Sequence, residues 1–222
     1  MAVLVAGGTG FLGQAVVREL SSAGHDVTAT WIVERERERL EGLAIELVEA
    51  DLFEPGGAQS AVGAVRELEA VVNLVGGFAI GGRVHETEVS EFERLLRLNL
   101  TPSYNLAHAA MPRLVERGGG AFVAVSARAA LRPFPGAAGY ITSKAAVLAF
   151  VQALDAEYRQ DGVRCNAILP SVIDTPANRA SQPDADHSKW VPPEEIAKVV
   201  RFLVSEDSAP LGGGTIPVYG RA

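Results

Sequence analysis

The sequence predicts an α/β protein: a single doubly wound domain of about seven parallel strands, with helices on both faces. Seven short apolar runs alternate with helix-like segments, and strands that are apolar throughout are typical of a parallel sheet covered on both sides. The first run opens into a glycine-rich turn and a helix, as nucleotide-binding sheets of this class do. No linker rich in proline, glycine or serine divides the chain, so we expect one domain over residues 1–222.

The candidate strands are separated by segments that can hold the helices of right-handed crossovers, which makes a doubly wound sheet the expected architecture. Two long helical segments, about 90–115 and 139–160, carry apolar residues on more than one face. The charged run ERERERLE (34–41) combines attractive and repulsive pairs that roughly cancel, so it predicts a solvated helix start. The candidate strands are AVLVA (2–6), DVTATW (26–31), AIELVE (44–49), AVVNLV (70–75), AFVAVS (121–126), VRCNAIL (163–169) and TIPVY (215–219).

Composition and charge exclude several classes of function. The formal net charge is −7, which argues against a general nucleic-acid or anionic-membrane surface. The single cysteine permits neither an intrachain disulfide nor a cysteine cluster for zinc, and no His/Asp/Glu group has metal-ligand spacing. The first strand begins at Ala2, and no apolar run reaches the length of roughly 18 residues that a membrane span needs. We therefore expect a cytoplasmic protein that acts on a small molecule.

The turn after the first strand, AGGTGFLGQ, predicts a phosphate site. Gly7, Gly10 and Gly13 stand where the chain must leave a strand, turn tightly and begin a helix. Glycine allows positive φ angles and close backbone approach, and the free N–H groups of a helix start favour a pyrophosphate. The alternative is a glycine turn with a structural role only. The position of this turn at the first strand–helix junction favours dinucleotide binding.

The end of the second strand bears on the choice between NAD and NADP. An acidic residue that binds the adenosine ribose is expected there, but the sequence has Trp31 in TATWIVERER. Without a carboxylate a 2′-phosphate is not repelled, and Arg35 or Arg37 can reach it. The sequence therefore favours NADP (NADPH) over NAD, while Trp31 itself can stack on adenine or simply pack.

Tyr140 and Lys144, in YITSK, are one helical turn apart and are expected to share a face. An ammonium beside a phenol favours the phenolate and lowers the pKa of the phenol. Such a tyrosine can exchange a proton with a group that gains or loses hydride. The pair Tyr-x-x-x-Lys occurs often by chance, so its meaning depends on the rest of the chain.

The motifs taken together resemble the short-chain dehydrogenase/reductase family over essentially the whole chain. Their order and spacing are specific, although G-x-x-G-x-x-G is more typical of the family's extended or atypical members. The resemblance implies a Rossmann domain and an NAD(P)-dependent oxidoreductase, commonly a homodimer or homotetramer that pairs the two long helices. The matching motifs are AGGTGFLG, Asp51 after the third strand, VNLVGG (72–77), Asn99 in RLNLT, YITSK (140–144), NAILPSVIDTP (166–176) and GGTIPVYG (213–220).

The resemblance also implies roles for individual residues. Tyr140 is the implied proton donor or acceptor, and Lys144 binds the nicotinamide ribose and tunes Tyr140. Asn99 interrupts its helix and holds a water that links Lys144 to solvent. The implied cofactor contacts are Gly7, Thr9, Gly10, Phe11 and Leu12 at the pyrophosphate, Trp31, Asp51 and Leu52 near adenosine, Val75, Gly76 and Gly77 at the ribose, and Pro170, Val172 and Thr175 at the nicotinamide.

The serine of this family stands thirteen residues before the tyrosine, and that position is Ala127 here. Ser126 lies one residue earlier, and a shift of one residue along a strand turns a side chain to the opposite face. Unless a bulge re-aims it, Ser126 is expected to point away from the substrate. Ser126 therefore stays a candidate catalytic residue whose participation is open.

Within the family, the missing serine and the segment ARAALRPFPGAAGYITSK are similar to the quinonoid dihydropteridine reductases, which however have an acid where this chain has Trp31. A quinonoid pterin delocalises the arriving electrons and needs a second hydrogen-bond donor less than a ketone does. The sequence thus suggests reduction of a quinonoid dihydropterin-like ring. The alternatives are a carbonyl reductase that uses Ser126 or water, and a non-catalytic dinucleotide sensor. Residues 174–192 are expected to form a substrate lid, with Asn178, Arg179, His187 and Trp190.

Overall fold

The computed structural model describes all residues 1–222 and contains one parallel sheet of seven strands in the order β3-β2-β1-β4-β5-β6-β7. This confirms the predicted fold class. The strands are β1 (Ala2–Ala6), β2 (Asp26–Trp31), β3 (Glu46–Glu49), β4 (Leu68–Asn73), β5 (Gly120–Val125), β6 (Val163–Pro170) and β7 (Thr215–Val218). The helices are α1 (Phe11–Ser22), α2 (Pro55–Ala64), α3 (Val89–Arg117), α4 (Ala138–Tyr158), α5 (Pro176–Ser181) and α6 (Pro193–Val204).

The side chains of β1 show why the sheet is covered on both faces. Leu4 belongs to the core formed with α2, α3 and α4, whereas Val3 and Val5 belong to the core formed with α1 and α6. Successive side chains of a strand point to opposite faces, so an all-apolar strand requires a helical layer on each side. All five residues of β1 are buried.

The order of the strands reverses next to β1. The chain proceeds outward from β1 through β2 to β3, then returns to place β4 on the other side of β1. Ligands of open parallel sheets bind outside the carboxyl ends of the strands, at such a point of reversal. The loops after β1 and β4 therefore open the cleft described below.

Helix α3 runs without interruption through Asn99, so the implied break in the helix at this residue is wrong. The Asn99 side-chain amide donates to the Leu95 carbonyl, one turn earlier, at 3.2 Å. Its remaining partners lie in the loop after β4 and on α4. The buried amide is satisfied by these bonds, and the helix does not need to open.

Two further findings concern the molecule as a whole. None of its helices combines the length and the apolar character that crossing a bilayer requires. No group of three or more histidine, cysteine, aspartate or glutamate side chains is arranged to hold a metal ion.

Candidate active site

A cleft of about 960 Å³ lies at the carboxyl ends of the strands and is lined by residues that follow β1, β4, β5 and β6. It brings most of the sequence-predicted residues together. Those on its wall are Gly7, Gly10, Phe11, Leu12, Gly76, Gly77, Ser126, Tyr140, Lys144, Pro170 and Val172. Those outside its wall are Thr9, Trp31, Asp51, Leu52, Val75, Asn99 and Thr175.

The turn after β1 has the geometry of an anion cradle. Gly7 has a φ of +76°, which favours glycine, and its N–H donates to the Thr30 hydroxyl at 3.0 Å. A Cβ on Gly13 would lie 2.1 Å from the Gly7 carbonyl oxygen, so α1 approaches the turn at a distance that only glycine allows. No side chain caps α1 at Gly10, and its first turn holds no acidic residue. The N–H groups at the start of α1 are therefore available to a phosphate, whereas those of Gly7 and Gly10 are bonded within the protein.

A cation that the sequence did not single out lies beside this turn. The Arg39 guanidinium donates to the Thr9 carbonyl at 2.8 Å and lies 4.4 Å from the centroid of the Phe11 ring. Arg39 belongs to the 3-10 helix Glu34–Leu40, which folds back toward α1. The sequence placed it in a solvated charged run, and only the tertiary fold brings it to the glycine turn.

The adenosine side of the predicted site lies at the ends of β2 and β3. The Arg37 guanidinium lies 4.9 Å from the centroid of the Trp31 ring and forms an ion pair with Glu34 at 2.5 Å. Arg35 is exposed. Asp51 is also exposed, and its carboxylate accepts a hydrogen bond from the Phe53 N–H at 2.9 Å.

Tyr140 and Lys144, both on α4, reach the cleft together. The edge of one ring meets the face of the other where Tyr140 packs on Phe78, with centroids 4.9 Å apart. Burial raises the pKa of Tyr140 to about 12. Burial lowers the pKa of Lys144 to about 8, and its ammonium donates to the Val125 carbonyl at 3.0 Å. The pKa of Tyr140 thus moves in the opposite direction to the one expected from the spacing, because desolvation of the phenolate dominates.

Asn99 joins the loop after β4 to α4. Its carboxamide pairs with the N–H and the carbonyl of Gly77 at 3.0 and 3.1 Å, and donates to the Ser143 hydroxyl at 3.0 Å. A Cβ on Gly76 would lie 2.6 Å from the Asn99 oxygen and 2.9 Å from the Lys144 ammonium nitrogen. The lack of a side chain at Gly76 therefore allows the Asn99 oxygen and the Lys144 ammonium to pack against the loop after β4.

The Ser126 hydroxyl is directed at α4. It donates to the Lys144 carbonyl at 2.7 Å, and the residue is buried. Ala127 lines the cleft next to it and offers no hydroxyl. In this arrangement Ser126 ties the end of β5 to the turn of α4 that carries the lysine.

Part of the segment predicted as a lid forms one wall of the cleft. Thr175 caps α5 by accepting from the Asn178 N–H at 3.2 Å, and the Asn178 side chain donates to the Ile173 carbonyl at 2.8 Å. Asn178 and Gln182 face the cleft. Trp190 is buried at the other end of the segment, where it anchors the chain.

The cleft wall also contains residues that the sequence did not indicate. Arg128 and Arg132 follow β5 and are, with Lys144, the charged side chains that line it; no aspartate or glutamate does so. Large apolar side chains line the same cleft. These are Phe78, Ile80 and Phe134.

The chain is similar to known short-chain dehydrogenases in both sequence and structure. The family model described as short chain dehydrogenase matches residues 1–186. The 2-(R)-hydroxypropyl-CoM dehydrogenase of Xanthobacter autotrophicus is 31% identical over 189 residues, which cover 78% of this chain and 76% of that protein. The 4-formylbenzenesulfonate dehydrogenase TsaC1/TsaC2 of Comamonas testosteroni is 30% identical over 99% of this chain and 96% of its own length. A short-chain type dehydrogenase/reductase from Mycobacterium ulcerans superposes with a TM-score of 0.92 at 26% identity, covering 99% of this chain and 88% of that one.

Proposed function

The chain belongs to the short-chain dehydrogenase family and is an NAD(P)-dependent oxidoreductase, and we propose that it reduces a small unsaturated substrate with Tyr140 as the proton donor. The observation that carries this proposal is the placement of Tyr140 and Lys144 on the same cleft as the glycine turn. Members of this family catalyse redox reactions, so membership disfavours the alternative of a non-catalytic dinucleotide sensor.

The residues of the cleft fit a nicotinamide dinucleotide. The glycine turn and the uncapped start of α1 would hold the pyrophosphate. Gly13 has no Cβ, so α1 packs directly against the turn and its free N–H groups stay close to this site. Pro170 and Val172, after β6, would border the nicotinamide. When bound, the dinucleotide supplies the hydride, that is, the two electrons and one hydrogen of the reduction.

Tyr140 supplies the remaining proton. With its pKa raised to about 12, the phenol is protonated at neutral pH. In a carbonyl substrate the C=O π bond breaks as carbon receives hydride, and the oxygen takes the proton from the Tyr140 hydroxyl. A donor held in this position contributes roughly 100- to 10,000-fold to the rate of such a step.

Lys144 is positioned to support both events. Its ammonium is held by the Val125 carbonyl and lies close to the Gly76 backbone. From there it would bind the ribose hydroxyls of the cofactor and stabilise negative charge that develops on Tyr140. Asn99 holds the loop that lets Lys144 reach this position.

The cofactor favoured by the site is NADP. The end of β2 offers Trp31 in place of a carboxylate, with Arg37 above its ring. Arg39 adds a second guanidinium beside the glycine turn and pairs with Glu36 at 3.1 Å. A 2′-phosphate would compete with the paired glutamates for both guanidinium groups as a stronger acceptor, so NADPH should bind more tightly than NADH. Titration of tryptophan fluorescence with each dinucleotide checks the order; tighter binding of NADH would overturn it.

Two substrate classes remain, each with an observation in its favour. Because the Ser126 hydroxyl donates to the Lys144 carbonyl, no serine hydroxyl is left to donate to the substrate beside Tyr140. This favours a delocalised acceptor such as a quinonoid dihydropterin, which needs a second donor less. The names of two relatives, the 4-formylbenzenesulfonate dehydrogenase and the 2-(R)-hydroxypropyl-CoM dehydrogenase, favour a carbonyl or its alcohol.

The test is NAD(P)H oxidation by the purified protein against a panel of ketones, aldehydes, quinones and quinonoid dihydropterins. Turnover of the quinonoid compounds alone would select the first class, and turnover of carbonyls alone would select the second. No oxidation of NADPH or NADH with any member of the panel would contradict the proposed reaction.

The assembly and location of the enzyme are part of the same proposal. Helices α3 and α4 pack on each other, and Tyr104 on α3 is 56% exposed beside Phe150 on α4. An exposed aromatic side chain beside the contact between these two long helices supports a homodimer or homotetramer formed through them. The cytoplasmic location expected from the sequence stays part of the proposal. Light scattering should give two or four chains, and a monomer would contradict this assembly.

A further inference from the structure

We propose that the substrate is an anion with an apolar body, and that Arg128 and Arg132 bind its negative group. This inference rests on the proposed reductase function and names the substrate class that the same cleft would accept. It comes from the charged and apolar side chains that line the cleft outside the glycine turn.

The sign of charge in the cleft is opposite to that of the protein. The chain carries a formal net charge of −7, yet the charged side chains that line the cleft are Arg128, Arg132 and Lys144, with no aspartate or glutamate. Side chains of one sign raise the local concentration of ligands of the opposite sign. Ala222, the last residue of the sequence, also lines the cleft, and the three cationic side chains exceed the one charge of a carboxylate there. The cleft side chains therefore attract anions, although the net charge of the protein is negative.

Neither arginine is neutralised by the protein. No carboxylate lies within 4.0 Å of the Arg128 or the Arg132 guanidinium. Arg159 and Arg179, by contrast, each form an ion pair with a nearby aspartate. The two cleft arginines thus keep their charge and their planar arrangement of donors for an external carboxylate, sulfonate or phosphate.

The fold holds the two arginines on one turn of chain. The Arg132 N–H donates to the Arg128 carbonyl at 2.9 Å, and the Arg128 guanidinium lies 5.0 Å from the centroid of the Tyr219 ring. Arg128 is half-buried and Arg132 is exposed. Stacking on an aromatic ring limits the motion of a guanidinium, so Arg128 is the better organised of the two.

The arginine pair is separate from the pyrophosphate site. The glycine turn follows β1, whereas Arg128 follows β5 and stacks on a residue that follows β7. The phosphates of a dinucleotide are accounted for by the start of α1. The pair is therefore placed for the other ligand of the reaction, the substrate.

The remainder of the substrate would contact apolar side chains. Phe78, Ile80 and Phe134 line the cleft and are 53%, 62% and 41% exposed. Exposed large apolar side chains that share a cleft mark a binding surface more often than chance surface residues. An aromatic or aliphatic body with one anionic group satisfies both this surface and the arginines.

The experiment compares two matched aldehydes, 4-formylbenzoate and methyl 4-formylbenzoate, with the NADPH-loaded enzyme. Equilibrium binding of benzoate and benzamide to the enzyme–NADP⁺ complex is measured alongside by calorimetry. Hydrogen bonds to charged groups are worth enough to expect a preference of about 10-fold or more for the anion in kcat/KM and in Kd. The preference should decrease as salt is added.

Substitution of single arginines tests which residue is responsible for the preference for the anionic compound. Arg128→Met should reduce the anion-to-neutral ratio about 10-fold, and Arg132→Met about 3-fold because its guanidinium is solvated. Arg66→Met removes an exposed arginine outside the cleft and should leave the ratio unchanged. Circular dichroism and thermal unfolding show whether each variant is folded.

The outcomes separate this inference from the proposed function. Equal binding of benzoate and benzamide, or a preference that survives Arg128→Met in the folded variant, overturns the assignment of an anion site. Absence of turnover with every acceptor, while benzoate still binds through Arg128, counts against the proposed reaction and leaves the anion site supported.

Discussion

The two halves of the cleft are made in different ways. On the β1 side the wall is largely backbone, with Gly7 at positive φ and α1 packed on it without room for a Cβ at Gly13. On the β5 side the wall consists of side chains, including Arg128, Tyr140 and Phe78, that come from separate segments. The first half can bind only what every dinucleotide shares, a pyrophosphate, whereas the second half can vary with the substrate.

The two halves of the cleft therefore determine different parts of the function. The glycine half fixes the class of cofactor, because helix N–H groups recognise a phosphate whatever is attached to it. The side-chain half sets the reaction and the choice of substrate. Changes in the two halves should therefore have separable effects on cofactor binding and on chemistry.

The largest effect is expected from Tyr140→Phe, which should lower kcat by about 100- to 10,000-fold because the proton donor is lost. The dissociation constant of NADPH should stay within about threefold, since cofactor affinity resides mostly in the glycine half; a threefold change is about 0.6 kcal/mol. Steady-state kinetics and fluorescence titration measure the two quantities. Tyr158→Phe, at the end of α4 and outside the cleft, is the matched control. A large loss of NADPH affinity in Tyr140→Phe would show that the two halves do not act separately.

Gly13→Ala should have the next largest effect, on the glycine half. Its Cβ would meet backbone atoms at 2.1 and 2.6 Å, and overpacking of this kind costs about 1–3 kcal/mol of folding free energy. Displacement of α1 from the turn should weaken NADPH binding by roughly 100-fold, about 2.7 kcal/mol. Chemical denaturation and fluorescence titration are the measurements.

Gly63→Ala is the control for that substitution, because a Cβ there meets nothing within 4 Å. Alanine in place of a helical glycine should stabilise the protein by roughly 0.5–1 kcal/mol. NADPH affinity of Gly13→Ala equal to that of the wild type would show that the turn does not bind the pyrophosphate.

The pH dependence of kcat for reduction should follow the deprotonation of Lys144. Burial lowers the pKa of this residue to about 8, so the ammonium is present below that pH and is lost above it. The rate constant kcat for reduction should fall about tenfold per pH unit above pH 8 as the ammonium deprotonates. Lys144→Met should be slow at every pH and lack this transition, and an unchanged transition in the variant would assign it to another group.

The free energy of unfolding should rise over the pH range in which kcat falls. Between about pH 8 and the pKa of an unfolded lysine, about 10.4, the unfolded chain binds a proton that the buried Lys144 does not. The free energy of unfolding should therefore rise by about 1 kcal/mol per pH unit between pH 8 and 10. Denaturant titrations of wild type and Lys144→Met at these pH values test the sign, because the variant should lack this increase.

The smallest effect on chemistry is expected from Ser126→Ala. The Ser126 hydroxyl is bonded to the Lys144 carbonyl, so its loss should destabilise the fold by about 1–2 kcal/mol and change kcat by less than about fivefold. Denaturation and steady-state kinetics measure these changes. A loss of kcat near 100-fold without loss of stability would make Ser126 the second donor after all.

The parts of the molecule that the sequence predicted are those encoded by neighbouring residues. Gly7, Gly10 and Gly13 form one turn, and Tyr140 and Lys144 form one turn of α4, so their spacing alone determines their placement. The seven apolar runs became seven strands. The central runs are buried on both faces, whereas the edge strands β3 and β7 are only partly buried.

The parts that the sequence did not predict depend on contacts between distant segments. Arg39 reaches the Thr9 carbonyl through a 30-residue separation, and Arg128 is organised by Tyr219, ninety-one positions away in the chain. The raised pKa of Tyr140 also reflects burial by the assembled cleft, which spacing within one helix does not reveal. Such features have no local pattern.

The role of Tyr140 as proton donor is tested most directly by the solvent deuterium isotope effect on the reduction step, observed in a single turnover of NADPH-loaded enzyme. If the Tyr140 hydroxyl gives its exchangeable proton as hydride arrives, the wild type should react more slowly in D₂O. The residual reaction of Tyr140→Phe must take its proton from solvent and should be at least about 100-fold slower. A single-turnover rate in Tyr140→Phe close to that of the wild type, or equal wild-type rates in H₂O and D₂O, would contradict the role of Tyr140.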